Sequence, residues 1–179
     1  MSDPPFWEKT DASTVPTTHY HFGYGSNLWL EQMHQRCPSA TYVGRGVLKG
    51  YKWIINQRGY ANLVQVGTRT GPEHDTYGVV YTLTDSDMRT LDRKEGVPHS
   101  YQKYTVKIRM YQADPPTPVE LSCLVYIDPI KKEGQPKNEY VSRINRGLAD
   151  AKLPNSWVKE VIRKFIPEEG EDLKAMPKV

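Results

Sequence analysis

Residues 21–28, His-Phe-Gly-Tyr-Gly-Ser-Asn-Leu, fit a strand end, a turn and a helix start into eight positions. An apolar, aromatic run ahead of the glycines reads as a strand over about Thr18–Gly23. Gly23 and Gly25 flank Tyr24, which frees the backbone there from the limits a Cβ imposes. Ser26 or Asn27 is placed to cap the following helix. That helix runs from about Leu28 to the Cys37-Pro38 pair, because proline disfavours helical backbone at the residue before it. Leu30, Met33 and Cys37 recur at helical spacing and are expected to face the core. A strand, a glycine turn and a helix N-terminus aim backbone N–H groups at one spot, which suits a carboxylate or a phosphate. The same stretch also serves as a tight connection with no ligand, and the residues by themselves leave both readings open.

The chain of 179 residues is long enough for one domain with a real core. Its hydrophobic fraction of 37% is modest, so 12 tyrosines and 4 tryptophans must supply much of the buried surface. A net charge of +3, with bases dispersed among acids, speaks against a nucleic-acid face. Cys37 and Cys123 show no metal-binding spacing and read as reduced core thiols rather than a disulfide. The start is polar and proline-containing, and no apolar run reaches membrane-spanning length, so a cytoplasmic protein is expected. Residues 1–17 read as a flexible lead-in, 18–166 as the single domain and 167–179 as a charged tail.

After the first helix, Ala40–Leu48, Tyr51–Gln57, Leu63–Val66 and Tyr77–Leu83 read as strands separated by glycine turns at 50–51 and 58–60. Thr68–Asp75 is a polar loop; its Glu73-His74-Asp75 run reads as solvated rather than metal-binding, since adjacent residues rarely converge on one ion. Thr84 caps a short helix, Met88 and Leu91 give its buried stripe, and Gly96 ends it, which sets Glu95 at its C-terminus. Strands over about Tyr101–Tyr111 and Val119–Ile127 follow, joined by a rigid proline-rich segment at 113–118. Asn138 is expected to cap a helix over Glu139–Asp150, and a last helix spans Asn155–Phe165. Its Trp157, Val158, Val161, Ile162 and Phe165 form an apolar stripe for the core or a dimer contact. Strands and helices do not alternate as βαβ units. The class is therefore α+β, with a small, mixed, barrel-like sheet flanked by helices.

Tyr24-Gly25-Ser26-Asn27-Leu28 at the end of a first strand resembles the signature loop of the γ-glutamylcyclotransferase (AIG2-like) family. A second mark lies downstream: Tyr77-Gly78-Val79-Val80-Tyr81, then Leu91-Asp92-Arg93-Lys94-Glu95-Gly96-Val97, then Tyr101, in the family's order. Tyr140 matches a family tyrosine that lines the site, and the resemblance runs from about Tyr20 to Phe165. It implies a small barrel and a cofactor-free, metal-free enzyme that cyclises a γ-glutamyl group to 5-oxoproline and expels an amine or amino acid. It also implies Glu95 as the catalytic acid/base, and His21, Phe22, Gly23, Tyr24, Gly25, Ser26, Asn27, Leu28, Tyr101 and Tyr140 as the substrate-binding set. The implied partner is a small γ-glutamyl molecule, with neither nucleic acid nor membrane, and with a homodimer as the candidate assembly. His21 stands where animal members carry an aromatic residue. Glutathione-specific relatives share the Phe22–Ser26 start and resemble this chain at Trp29, but Asn27 and the Leu-Asp-x-x-Glu-Gly segment fit the general group better.

The chemistry asks little of a protein beyond positioning, because nucleophile and electrophile belong to one molecule. One carboxylate suffices to take the proton from the substrate's α-ammonium and return it to the leaving nitrogen. Glu95 at a helix C-terminus feels the negative end of the dipole, which raises its pKa. The alternatives are the same chemistry on γ-glutamylamines, glutathione or another γ-glutamyl conjugate, and a binding module without turnover.

Overall fold

The computed structural model describes residues 17–69, 71–112 and 119–168. The expectations for the N-terminal lead-in (1–16), the proline-rich connection (113–118) and the charged tail (169–179) lie outside the described residues.

Five strands close a barrel in the order β1 (His19–Gly23), β5 (Asp75–Leu83), β2 (Thr41–Lys49), β6 (Gln102–Gln112) and β7 (Val119–Ile127). All neighbours are antiparallel except the closing pair, where β1 meets β7 in parallel at His21↔Leu124. Closure removes the unpaired edges that an open sheet presents. The ladder from β2 to β5 shifts register between Tyr42 and Gly44, a bulge of the kind that bends a strand around a barrel. Val79 and Val80 point to opposite faces of β5, yet neither is exposed to solvent, so this strand is covered on both sides. β3 (Tyr51–Ile55) and β4 (Ala61–Gln65) form a separate hairpin in register Tyr51↔Gln65 to Ile55↔Ala61. Its turn needs Gly59, at φ +85°.

Among the described residues four helices flank the barrel: α1 (Leu30–Arg36), α2 (Asp85–Glu95), α3 (Asn138–Ala151) and α4 (Asn155–Glu160). α2 follows its sequence signals: Thr84 Oγ1 accepts the Asp87 N–H at 3.1 Å, and Gly96 closes the helix at φ +68°. Leu91 is fully buried and Met88 packs against the core.

Four local expectations fail. Ser26 and Asn27 do not cap α1; they lie in a 3-10 turn over Ser26–Leu28, and the helix starts only at Leu30. Asp150 of α3 instead offers its carboxylate to the Leu30 N–H at 3.0 Å, and Leu30, in the first turn, is 41% exposed while Met33 and Cys37 are buried. Asn138 is the first residue of α3 and not its cap; the chain enters through Lys137, whose N–H is tied to the Gly59 carbonyl of the hairpin turn. The last helix breaks at Val161 and resumes as a 3-10 turn over Ile162–Lys164. Trp157, Val161, Ile162 and Phe165 are all buried, so the apolar stripe is core.

Cys37 and Cys123 are buried free thiols. Among the described residues no group of three His, Cys, Asp or Glu side chains is placed to hold a metal ion, and Asp75 pairs with Lys49 at 2.7 Å. No helix among them is long and apolar enough to cross a membrane.

Candidate active site

Because Gly96 stops α2 in the left-handed conformation, Glu95 is its last residue, and its side chain leaves the helix end toward the octet loop. Asn27 Nδ2 donates to Glu95 Oε1 at 3.2 Å, and Arg36 Nη1 lies 3.8 Å from the same oxygen. The Glu95 side chain is 17% exposed. Burial raises its pKa above 4.5, against the opposing pull of Arg36, the Asn27 hydrogen bond, Arg143 and Arg58. The direction matches the expectation, and burial is its largest cause.

Asn27 is locked by its four partners. Its Oδ1 accepts from Arg36 Nη1 at 3.0 Å and from Gln32 Nε2 at 3.3 Å. Arg36 only donates, so this end of the amide is oxygen, and the Nδ2 end faces Glu95 and His21 Nε2. The ring nitrogen His21 Nε2 must then accept, which leaves the ring proton on Nδ1, where the Leu124 carbonyl takes it at 3.2 Å. Burial lowers the His21 pKa to about 4, so the ring is neutral at physiological pH and fits this arrangement.

The tyrosines are equally committed. Tyr24 donates to the Tyr126 carbonyl. Tyr101 donates to the Ala61 carbonyl at 3.0 Å. Tyr140 differs: its oxygen lies 3.2 Å from the Ser26 nitrogen and 3.4 Å from the Ala61 nitrogen, and both N–H groups donate to it. Its own proton takes no partner among the described residues. Its pKa is pushed up to about 12 by burial, so it stays a donor at neutral pH. The loop amide of Ser26 thus reaches the site through a phenol instead of pointing into it.

These groups surround a cavity of about 320 Å³. Nine of the ten expected binding residues border it: His21, Phe22, Gly23, Tyr24, Gly25, Ser26, Asn27, Tyr101 and Tyr140, with Glu95 among them. Leu28 lies behind this wall, 1% exposed and packed toward Gly147 of α3. The two loop glycines serve close approach and not a left-handed backbone. Gly25 has φ −119°, and a Cβ on it would lie 2.7 Å from Tyr140 Oη and 3.0 Å from Ala61 Cβ. A Cβ on Gly23 would lie 3.2 Å from Asn27 Cβ.

The cavity is also bordered by Arg36, Arg58, Lys94 and Arg143, so its wall carries an excess of positive charge over Glu95. Sequence reasoning missed these cations. Arg143 had a signal, since it stands three residues after Tyr140 on one face of α3 and its guanidinium lies 5.0 Å from that ring. Arg36 is brought to Asn27 by the length of the intervening turn and helix, and Arg58 sits in a turn with no period to mark it.

The closed barrel flanked by helices is the fold the sequence resemblance implied. The family model described as gamma-glutamyl cyclotransferase, AIG2-like, matches residues 21–143, and the chain belongs to that family. It is 26% identical over 160 residues to the gamma-glutamylcyclotransferase of Mus musculus, covering 85% of this chain and 81% of the relative. It is 28% identical over 147 residues to that of Homo sapiens, covering 79% and 76%. A solved structure titled gamma-glutamyl cyclotransferase superposes with a TM-score of 0.69 over 91% of this chain and 90% of its own, at 24% identity, a likeness of fold.

Proposed function

We propose that the protein is a γ-glutamylcyclotransferase in which Glu95 moves the proton. The observation that carries this reading is the partly buried Glu95 carboxylate, held by Asn27 of the loop, on the wall of a cavity rich in cations. A γ-glutamyl substrate brings an α-carboxylate for the cations and an α-ammonium for Glu95. The carboxylate takes one proton from the ammonium, and the freed amine attacks the γ-carbonyl. A carbon–nitrogen bond forms in the five-membered ring, Glu95 gives its proton to the leaving nitrogen as the bond to that nitrogen breaks, and the proton still surplus on the ring nitrogen passes through the freed carboxylate to the departing amine, which leaves as an ammonium ion. The raised pKa makes the carboxylate a better base for this step. The unspent Tyr140 hydroxyl supplies a donor for the oxygen that gains charge.

The purified protein is expected to release 5-oxoproline from γ-glutamyl-alanine and to keep its rate after exhaustive chelation. Loss of activity on chelation, restored by a divalent metal, would refute the metal-free reading. Gly25→Val probes the loop. Its side chain would collide with Tyr140 Oη, so affinity for a γ-glutamyl ligand is expected to fall at least tenfold in a protein that still folds. Calorimetric titration measures it, and unchanged affinity would remove the loop from the site.

A further inference from the structure

We infer that Arg58 reads a carboxylate on the leaving amine, which makes it the residue that selects γ-glutamyl amino acids over γ-glutamylamines. The inference rests on the proposed cyclisation and extends it to the outer half of the cavity. Three arginines border the cavity, and they differ in depth and in commitment. Arg36, 19% exposed in its side chain, donates to Asn27 beside Glu95 and belongs to the reacting end. Arg143, 25% exposed, spends Nε and Nη2 on Glu139 at 3.0 and 2.9 Å, and Nη1 faces Gln32 at 3.4 Å. Arg58 is the outermost, 33% exposed, and only its Nη1 is used, on Asp128 at 2.7 Å. The rest of its donor fork takes no partner among the described residues.

The fork is nevertheless fixed. Asp128 is 1% exposed in its side chain and is itself held by Asn56 Nδ2 at 3.0 Å and the Ile130 N–H at 2.9 Å. Asn56 Oδ1 accepts the Arg58 backbone N–H at 3.1 Å, which closes the turn on itself. The guanidinium carbon lies 5.6 Å from the centre of the Tyr101 ring and 5.8 Å from that of Tyr60. A charged fork with open donors, held still on the cavity wall as the most exposed of its three arginines, matches a carboxylate and offers nothing to an uncharged alkyl group. Lys94, the remaining cation, is exposed and lacks such a frame. The glutamyl part must lie against Glu95 to react, so the carboxylate left for the most exposed of the three arginines is that of the leaving group.

Two substrates that differ only in this carboxylate, γ-glutamyl-alanine and γ-glutamyl-ethylamide, test the assignment through the ratio of their kcat/KM values. Because both are measured on one protein, a loss of folded fraction cancels. The wild type is expected to favour the alanine conjugate by about 10- to 100-fold, the worth of a hydrogen-bonded charge. Arg58→Met is expected to bring the ratio within about threefold of unity, and Arg58→Lys to restore part of it. The double variant Arg58→Met with Asp128→Asn removes the buried carboxylate that Arg58→Met strands, and is expected to show the same collapse. An unchanged ratio in these variants, including an equal loss on both substrates, overturns the inference, as does a wild type with no preference. If the wild type releases 5-oxoproline from neither substrate, the cyclisation reading itself falls.

Discussion

Glu95→Gln is expected to lower kcat by about 10²- to 10⁴-fold, the usual worth of general acid–base catalysis, and to melt higher than the wild type at neutral pH. The amide matches the carboxylate in size, and its oxygen still accepts from Asn27 Nδ2, so the cavity keeps its shape. It cannot take the ammonium proton, so the nucleophile never forms. The stability gain follows from linkage. Burial raises the folded-state pKa above 4.5 despite Arg36, so between those values the folded protein binds the proton more tightly than the unfolded chain does. Stability therefore falls as pH rises through that window, and the charged form is a burden at neutral pH. The amide lifts that burden, and its advantage should vanish as pH falls toward 4.5. Asp92, three residues earlier, points elsewhere: its carboxylate accepts from Tyr126 Oη at 2.7 Å and Lys103 Nζ at 2.8 Å. Asp92→Asn should change kcat far less. Turnover and calorimetric melting of both variants decide the matter; a folded Glu95→Gln enzyme within a few-fold of wild-type kcat would remove Glu95 from the chemistry.

What the sequence made legible was what neighbours along the chain decide. Thr84 and Gly96 bound α2 because a hydroxyl before a helix and a glycine after it act within a few residues. The strand and glycine loop were legible for the same reason, and with Glu95 they make up much of the wall of the candidate cavity. The failures came where a distant group replaced a local one. Ser26 and Asn27 have side chains suited to capping, yet Asp150, 120 residues from Leu30, meets the helix start. That releases Asn27 to bind Glu95 and His21. Ser26 likewise accepts from Gln32 Nε2 at 2.9 Å instead of capping. Gly25 is a glycine because Tyr140 comes within touching distance, a constraint imposed 115 positions downstream. The cations were illegible because barrel closure and the hairpin turn bring them to the cavity, and nothing in their local sequence marks that destination.

Asn27→Leu is expected to separate positioning from structure most clearly. Leucine fills similar space but offers no hydrogen bond. Glu95 loses a donor that favours its charged form, His21 Nε2 loses its donor, and Arg36 loses an acceptor. Since the Asn27 hydrogen bond lowers the Glu95 pKa, its loss moves that pKa further up, and the acid limb of kcat/KM must shift to higher pH. A hydrogen bond to a charged group is worth about 1.5–3 kcal/mol, which corresponds to a shift of about one to two pH units. On the acid side of the shifted limb the variant should therefore be slow because too little Glu95 is ionised, and it should recover part of its rate as pH rises. A purely structural defect gives a different result: a lower rate at every pH, with the limb unmoved. His21→Phe offers the milder version. It keeps Asn27 on Arg36 and Glu95 but strands one amide hydrogen, so it should move the limb in the same direction by less. The pH profiles of wild type, Asn27→Leu and His21→Phe, measured on proteins shown to be folded, test the chain from His21 through Asn27 to Glu95. Coincident limbs in all three would mean that the network shapes the cavity without tuning its base.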